Sequence, residues 1–259
     1  MNSENDNFKD LKKPKPEGPG VRFLYIALAL IVAGLIIYGA IIDYNKSQHE
    51  IEMEKRQAAA KLSLTNQLFT ALNTNDLEKI QQILNENPHL INARKQGQGT
   101  VIHYASSRSN KEVIDFLLSK GARLGEKDRE GNYPIQYAVK SGNMQNVNYM
   151  LEEGSNPNVK DNNSITPLHI SIKTVQPRIA SLLIDNGANI DARDNQGNTP
   201  LHYAVKLKNP ELVRFLIKRG ANPNIENLKG RTSFDMAEEQ NLTEILNILK
   251  NENQEMKVR

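Results

Sequence analysis

Apolar side chains in the second half of the chain come in short, evenly spaced groups separated by polar turns. Leu212, Val213 and Leu216, with Phe215 beside them, fall at helical spacing and give a short amphipathic helix. The series Leu117, Met150, Leu183, Leu216 and Leu249 returns such a helix every 33 residues. One stretch breaks this pattern. Residues 23–42 read "FLYIALALIVAGLIIYGAII", twenty residues without a charge and without the polar stripe of a soluble helix. At about 1.5 Å per residue that helix covers the roughly 30 Å hydrocarbon core of a bilayer. A cleavable signal would have a shorter apolar region and small residues at its cut site, whereas a cut after Ala40 would leave the large Tyr38 two places before it. The stretch therefore reads as an uncleaved transmembrane anchor.

Two more markers share the 33-residue period. "TPLH" at residues 199–202 recurs at 166–169, with "YPIQ" at 133–136, "TVIH" at 100–103 and "TSFD" at 232–235. Gly121, Gly154, Gly187 and Gly220 follow the second apolar group of each unit. Each part has a physical role. Proline at a helix start lacks only an N–H that would be orphaned there anyway, threonine is a good helix N-cap, and glycine after a helix accepts a left-handed backbone. Three markers at one spacing, carried best by "GNTPLHYAVKLKNPELVRFLIKRGANPNIEN" at 197–227, resemble the ankyrin repeat family from about residue 96 to the C-terminus. Upstream, residues 68–94 look like a degenerate first repeat, with Ala71 matching Ala105 and Leu84 matching Leu118 at a 34-residue offset.

The resemblance implies an all-α ankyrin-repeat solenoid of about six helix-turn-helix units with β-turn fingers, preceded by one transmembrane helix. The expected layout is a disordered, Pro/Gly-rich tail (1–22), the transmembrane helix (23–42), a juxtamembrane helical stalk (43–61) and the repeat domain (62–259). Within that domain a cap repeat at 62–95 precedes units at 96–128, 129–161, 162–194, 195–227 and 228–259. The apolar series Leu118, Leu151, Ile184 and Ile217 ends in Lys250, which suits a polar terminal cap.

Departures from the family pattern carry further expectations. Glycine near the end of the first helix survives as Gly142, but Ser109, Val175, Lys208 and Asn241 take its place elsewhere. A β-branched valine resists left-handed backbone, so "TVQPRI" at 174–179 is expected to turn differently, with Pro177 opening the next helix. Asn146 stands where other repeats have Val113, Ile179, Leu212 and Ile245.

The periodic histidines bear on chemistry. His103, His169 and His202 share one turn position, filled by Gln136 and Asp235 in two other repeats. Catalysis or metal binding needs partners that converge once, whereas these groups recur on successive units about 10 Å apart. Thr100, Thr166, Pro167, Thr199 and Pro200, with those histidines, read as structural turn residues. No phosphate-binding glycine loop, metal cluster or nucleophile motif appears, and "GQG" at 97–99 reads as a finger turn, so no enzyme activity and no cofactor are expected. With no cysteine, disulfides and thiolate metal sites are excluded. Beyond residue 61 there are 24 Lys and Arg against 22 Asp and Glu, too balanced a charge for a nucleic-acid footprint.

Family members use finger tips and a concave groove to bind proteins, so the resemblance implies a protein-interaction module. Positions late in each first helix would line that groove. Lys140, Lys173 and Lys206 repeat there, with Arg108 one place off register, and Tyr104, Tyr137 and Tyr203 lie one turn earlier, interrupted by Ile170. A basic row beside aromatic residues suits a partner with an acidic segment. The competing expectation is an oligomeric scaffold whose span and stalk self-associate, with the repeats as spacer. Five Lys and Arg lie in the fifteen residues before residue 23 and three in the fifteen after residue 42. That excess favours a cytoplasmic N-terminus with the repeats periplasmic or otherwise extracytoplasmic, the reverse orientation leaving them in the cytoplasm. Richness in Asn, Lys and Ile suggests an AT-rich coding genome, and a bacterial cell is the expected host of this anchored repeat protein.

Overall fold

The computed structural model describes residues 19–95 and 99–256. Most of the expected N-terminal tail, most of the "GQG" turn and residues 257–259 lie outside the described residues. The chain divides into two units, Met1–Lys61 and Leu62–Arg259.

Helix α1 (Pro19–Thr74) supplies the described part of the first unit and opens the second. It begins at Pro19, four residues before the expected anchor, because proline at a first helical position forfeits no intrahelical bond. Residues 19–22, expected in the tail, therefore belong to the helix. The apolar side chains of Phe23, Leu24, Ile31, Leu35 and Ile36 are all exposed. This is the one helix among the described residues long and apolar enough to cross a membrane, with a mean hydropathy of 2.5 in its most apolar window and none of that window buried.

In the second unit, the end of α1 pairs with α2 (Leu77–Glu86), and five further helix pairs follow. These are α3 (Val101–Arg108) with α4 (Lys111–Ser119), α5 (Pro134–Ser141) with α6 (Met144–Glu152), and α7 (Pro167–Lys173) with α8 (Pro177–Asp185). Then come α9 (Pro200–Lys206) with α10 (Pro210–Lys218) and α11 (Ser233–Glu239) with α12 (Thr243–Met256). Each helix is too short to persist alone, so packing must hold it. Ala105, Ala138, Ser171, Ala204 and Ala237 are fully buried at one period, small enough for the first helices to stack closely. From the second helices, Val113, Val147, Ala180, Val213 and Leu249 complete a continuous core. Ile217 is buried on α10, while Phe215 is only partly covered.

The junctions inside the pairs follow one rule with one exception. Asn75, Gly142, Val175, Lys208 and Asn241 all have positive φ, between 54° and 76°. In each case the next N–H returns to a carbonyl five residues back, as in Gln176 N–H to Ser171 O at 2.8 Å and Asn143 N–H to Ala138 O at 3.1 Å. The expectation for Val175 is thus corrected: at φ 57° it makes the same left-handed turn as its counterparts. That return bond, and Pro177 fixing the start of α8, override the local preference of valine.

The junction that turns differently is the second, where Ser109 is extended at φ −88°, ψ 161°. Asn110 N–H then bonds to Asn75 Oδ1 at 2.9 Å instead of closing back on α3, and the end of α3 needs another donor. Asn146 supplies it. Its buried side-chain amide donates to Ser106 O at 3.0 Å and Ser109 O at 2.8 Å. A polar residue thus occupies an apolar position to satisfy two carbonyls of the preceding repeat.

Two variants separate these effects by thermal or urea unfolding. Val175→Gly removes left-handed strain of about 1–2 kcal/mol against roughly 0.5–1 kcal/mol of added chain entropy, so it raises stability by up to about 1.5 kcal/mol. Asn146→Val installs the residue type of the other repeats yet lowers stability by roughly 2–4 kcal/mol, since two buried carbonyls lose their donor. An unchanged midpoint in the second would show that those carbonyls find water.

Candidate functional site

Each first helix opens on the same small network. Thr100 N–H donates to His103 Nδ1 at 3.2 Å, Thr166 N–H to His169 Nδ1 at 3.3 Å and Thr199 N–H to His202 Nδ1 at 3.1 Å. A nitrogen that accepts a backbone N–H carries no proton, so the proton of each neutral ring sits on Nε2. There it donates to Asn132 O, Asn198 O and Arg231 O, each at 3.1 Å and each in the turn of the following repeat. Gln136 does both jobs without a titratable ring: Tyr133 N–H donates to its Oε1 and its Nε2 donates to Ile165 O, both at 2.9 Å. Asp235 accepts Thr232 N–H at 2.8 Å and makes no second bond to a following turn among the described residues. Pro167 and Pro200 open α7 and α9 and are buried.

A second periodic group was missed in the sequence, although the 33-residue spacing displays it. Asp128, Asp161, Asp194 and Asn227 stand at the finger bases. Asp128 Oδ1 accepts the N–H groups of Glu130 and Asn132, both at 2.8 Å, and Asp161 and Asp194 repeat the pattern at the same distances. Asn227 Oδ1 does the same for Lys229 and Arg231 at 2.9 and 3.2 Å. Neighbouring fingers are tied by backbone bonds, such as Asn195 N–H to Asn163 O at 3.0 Å.

The tyrosines complete these turns. Tyr137 Oη donates to Asp128 Oδ2 at 2.8 Å and accepts Gly99 N–H at 3.2 Å; Tyr203 Oη donates to Asp194 Oδ2 at 2.6 Å. Their rings stand edge-on to His103 and His169, with centroids 5.3 and 5.8 Å apart. Tyr104 is 5% exposed and meets Phe69 edge-on. The row expected as contact residues is thus largely occupied within the chain, and it forms the wall of the groove. Burial, aided by the bond to Asp128, pushes the Tyr137 hydroxyl up to about 12, and burial with Asp194 raises Tyr203 likewise. Burial alone would raise Asp128 and Asp194, but the hydrogen bonds they accept hold both below the usual carboxylate range.

The cationic row is exposed where the turn residues are buried, although Arg108 also donates to Asn73 Oδ1 at 3.3 Å. Arg108, Lys140 and Lys173 line one hollow of about 630 Å³ between fingers and first helices, with Glu130 and Asp161 among its other walls. Lys206 and Tyr203 line the adjoining hollow of about 580 Å³, beside the exposed Leu228 and Lys229. Arg108 lies over the Tyr104 ring at 5.2 Å and Lys173 over the Tyr203 ring at 5.1 Å. Among the described residues no cluster of three His, Asp or Glu could hold a metal ion.

Burial lowers all three turn histidines, only partly offset by the carbonyl each ring faces. In the unfolded chain histidine titrates near about 6.5. Because the folded value is lower, the unfolded state takes up protons first as the pH falls. The turn's stability is therefore intact above about 6.5 and declines as the pH drops toward the folded value. Unfolding followed between pH 7 and pH 5, above the carboxylate range, should show falling stability. His169→Gln should fold like Gln136 and flatten that slope by about one third, and an unaltered slope would mean the rings titrate normally.

A family model for ankyrin repeats in three copies matches residues 68–161 and 145–227. The serine/threonine-protein kinase VIK of Arabidopsis thaliana is 30% identical over 82 residues. That segment is 32% of this chain but spans only 19% of the kinase. With helix pairs, left-handed junctions and polar turns recurring at the spacing of that family, and its model matching well over half of the sequence, the chain belongs to the ankyrin repeat family.

Proposed function

We propose that the chain is a membrane-tethered module that captures a partner protein on its finger tips and concave groove. Ankyrin repeats are protein-interaction modules, and the observation that carries the finer reading is a division of labour among periodic residues. The turn residues are bonded internally, whereas Lys140, Lys173 and Lys206 recur, exposed, in adjoining hollows. Cations held in a row steer an acidic segment and fix its register. The groove also holds Glu130 and Asp161, so the partner segment is mixed in character and its acidic groups are spaced to meet the lysines.

The exposed apolar run in α1 supports the tether. Side chains such as Ile31, Leu35 and Ile36 have no place in water at this density, and a bilayer is the solvent that fits a twenty-residue uncharged helix. In this reading residues 23–42 span the membrane, 43–61 form a stalk, and the repeats fill 62–259. The Lys and Arg excess before the span supports a cytoplasmic N-terminus with the repeats across the membrane, in a cell this reading takes to be bacterial.

A photo-reactive residue at position 173 tests this in cells. The proposal expects a discrete crosslinked protein whose compartment reports the orientation. Replacing Lys140, Lys173 and Lys206 together by Glu should weaken capture at least roughly tenfold, with the difference shrinking at high salt. Binding unchanged by all three substitutions would sink the groove reading, and crosslinks only between copies of the chain would favour the oligomeric scaffold.

A further inference from the structure

Three absences coincide at the fourth repeat. In the third and fifth, a tyrosine donates its hydroxyl to the finger aspartate and stands edge-on to the preceding histidine. In the fourth, Ile170 replaces that tyrosine. Asp161 keeps both backbone N–H bonds on Oδ1, but among the described residues no group bonds to Oδ2. The preceding turn residue is Gln136, so no ring stack is made there. Lys173, one repeat on, lies over the Tyr203 ring at 5.1 Å. Lys140 holds the same position relative to Ile170, is exposed, and lies over no described ring. The unbonded carboxylate, Gln136, Ile170 and Lys140 all line the 630 Å³ hollow.

We infer that this gap is a socket for one aromatic side chain of the partner, a tyrosine flanked by acidic residues. The inference rests on the concave-groove reading and specifies its occupant. The neighbouring repeats show how a phenol sits at this register: hydroxyl to the finger aspartate and ring edge toward the turn in both, and in the fifth repeat the ring face under the lysine of the repeat before. A partner tyrosine reproduces those contacts with Asp161 Oδ2, Gln136 and Lys140. Its ring covers Ile170, and its hydroxyl gives the carboxylate a charge-assisted bond. Arg108, Lys140 and Lys173 on the rim meet acidic residues on either side, while Asp161 and Glu130 disfavour a carboxylate in the socket itself. Phenylalanine fills the volume but leaves Asp161 desolvated without a donor, so the site discriminates against it.

The test uses the full chain in detergent and two fluorescent peptides, each with one central aromatic residue between triplets of Glu, differing only in Tyr against Phe. The Tyr peptide is expected to bind at least about tenfold tighter. Ile170→Tyr gives the fourth repeat the tyrosine of its neighbours, so it keeps the fold, checked by its melting temperature, and abolishes the preference. Asp161→Asn also keeps the turn, since Asn227 makes the same two backbone bonds, and it reduces the preference severalfold. Equal binding of the two peptides, or undiminished binding by folded Ile170→Tyr, overturns the socket. Should both peptides bind equally yet release when the three lysines are reversed, the socket falls and the groove reading stands. If neither binds, the socket falls too, and capture from position 173 decides the groove alone.

Discussion

The repeat stack depends on a side chain that bonds in two directions at once. At the third position of each inner first helix, one nitrogen or oxygen accepts the N–H of the helix cap while the far nitrogen donates to a carbonyl in the next turn. The first bond fixes where a short helix begins, and the second fixes where the next repeat sits. Because the acceptor lies 29 residues away in every case, the spacing of the stack is written into the reach of one side chain. Neutral histidine and glutamine both offer an acceptor and a donor at the required separation. Aspartate offers only acceptors, and Asp235 makes only the first of the two bonds among the described residues.

This network engages both ring nitrogens of each turn histidine within the stack, and the proposed function rests on the surface beside them. The finger aspartates and the tyrosines Tyr137 and Tyr203 extend the same network, so on the proposed reading the wall that meets the partner is already bonded in place. Preorganised walls lower the entropy lost on binding. What stays adjustable is the set of long cationic side chains on the rim and the one register where the network is incomplete.

Much of this was legible in the sequence because it is periodic. The 33-residue recurrence of turn, helix and glycine specified the fold, and the unbroken apolar run marked the one candidate span. Val175 misled because local backbone preference is worth only a kcal/mol or two, less than a junction bond and a following proline can override. The pairing of Ser109 with Asn146 was not readable at all: the residues lie 37 apart, and neither is unusual until the missing left-handed turn at Ser109 leaves carbonyls without donors. Asp128, Asp161 and Asp194 stood in plain sight at the repeat period but outside the motif that drew attention. The tyrosines were visible as a row, yet only the structure shows that their hydroxyls are already bonded.

The central claim, that the periodic histidines are bonded joints and not free imidazoles, is open to direct measurement. Long-range nitrogen–proton NMR on the folded chain near neutral pH reports the protonation of each ring nitrogen. The account requires His103, His169 and His202 to be neutral, with the proton fixed on Nε2 and Nδ1 bare. Rings that are protonated, or that exchange freely between tautomers, would mean that the joints are open and that the stack is held by something else.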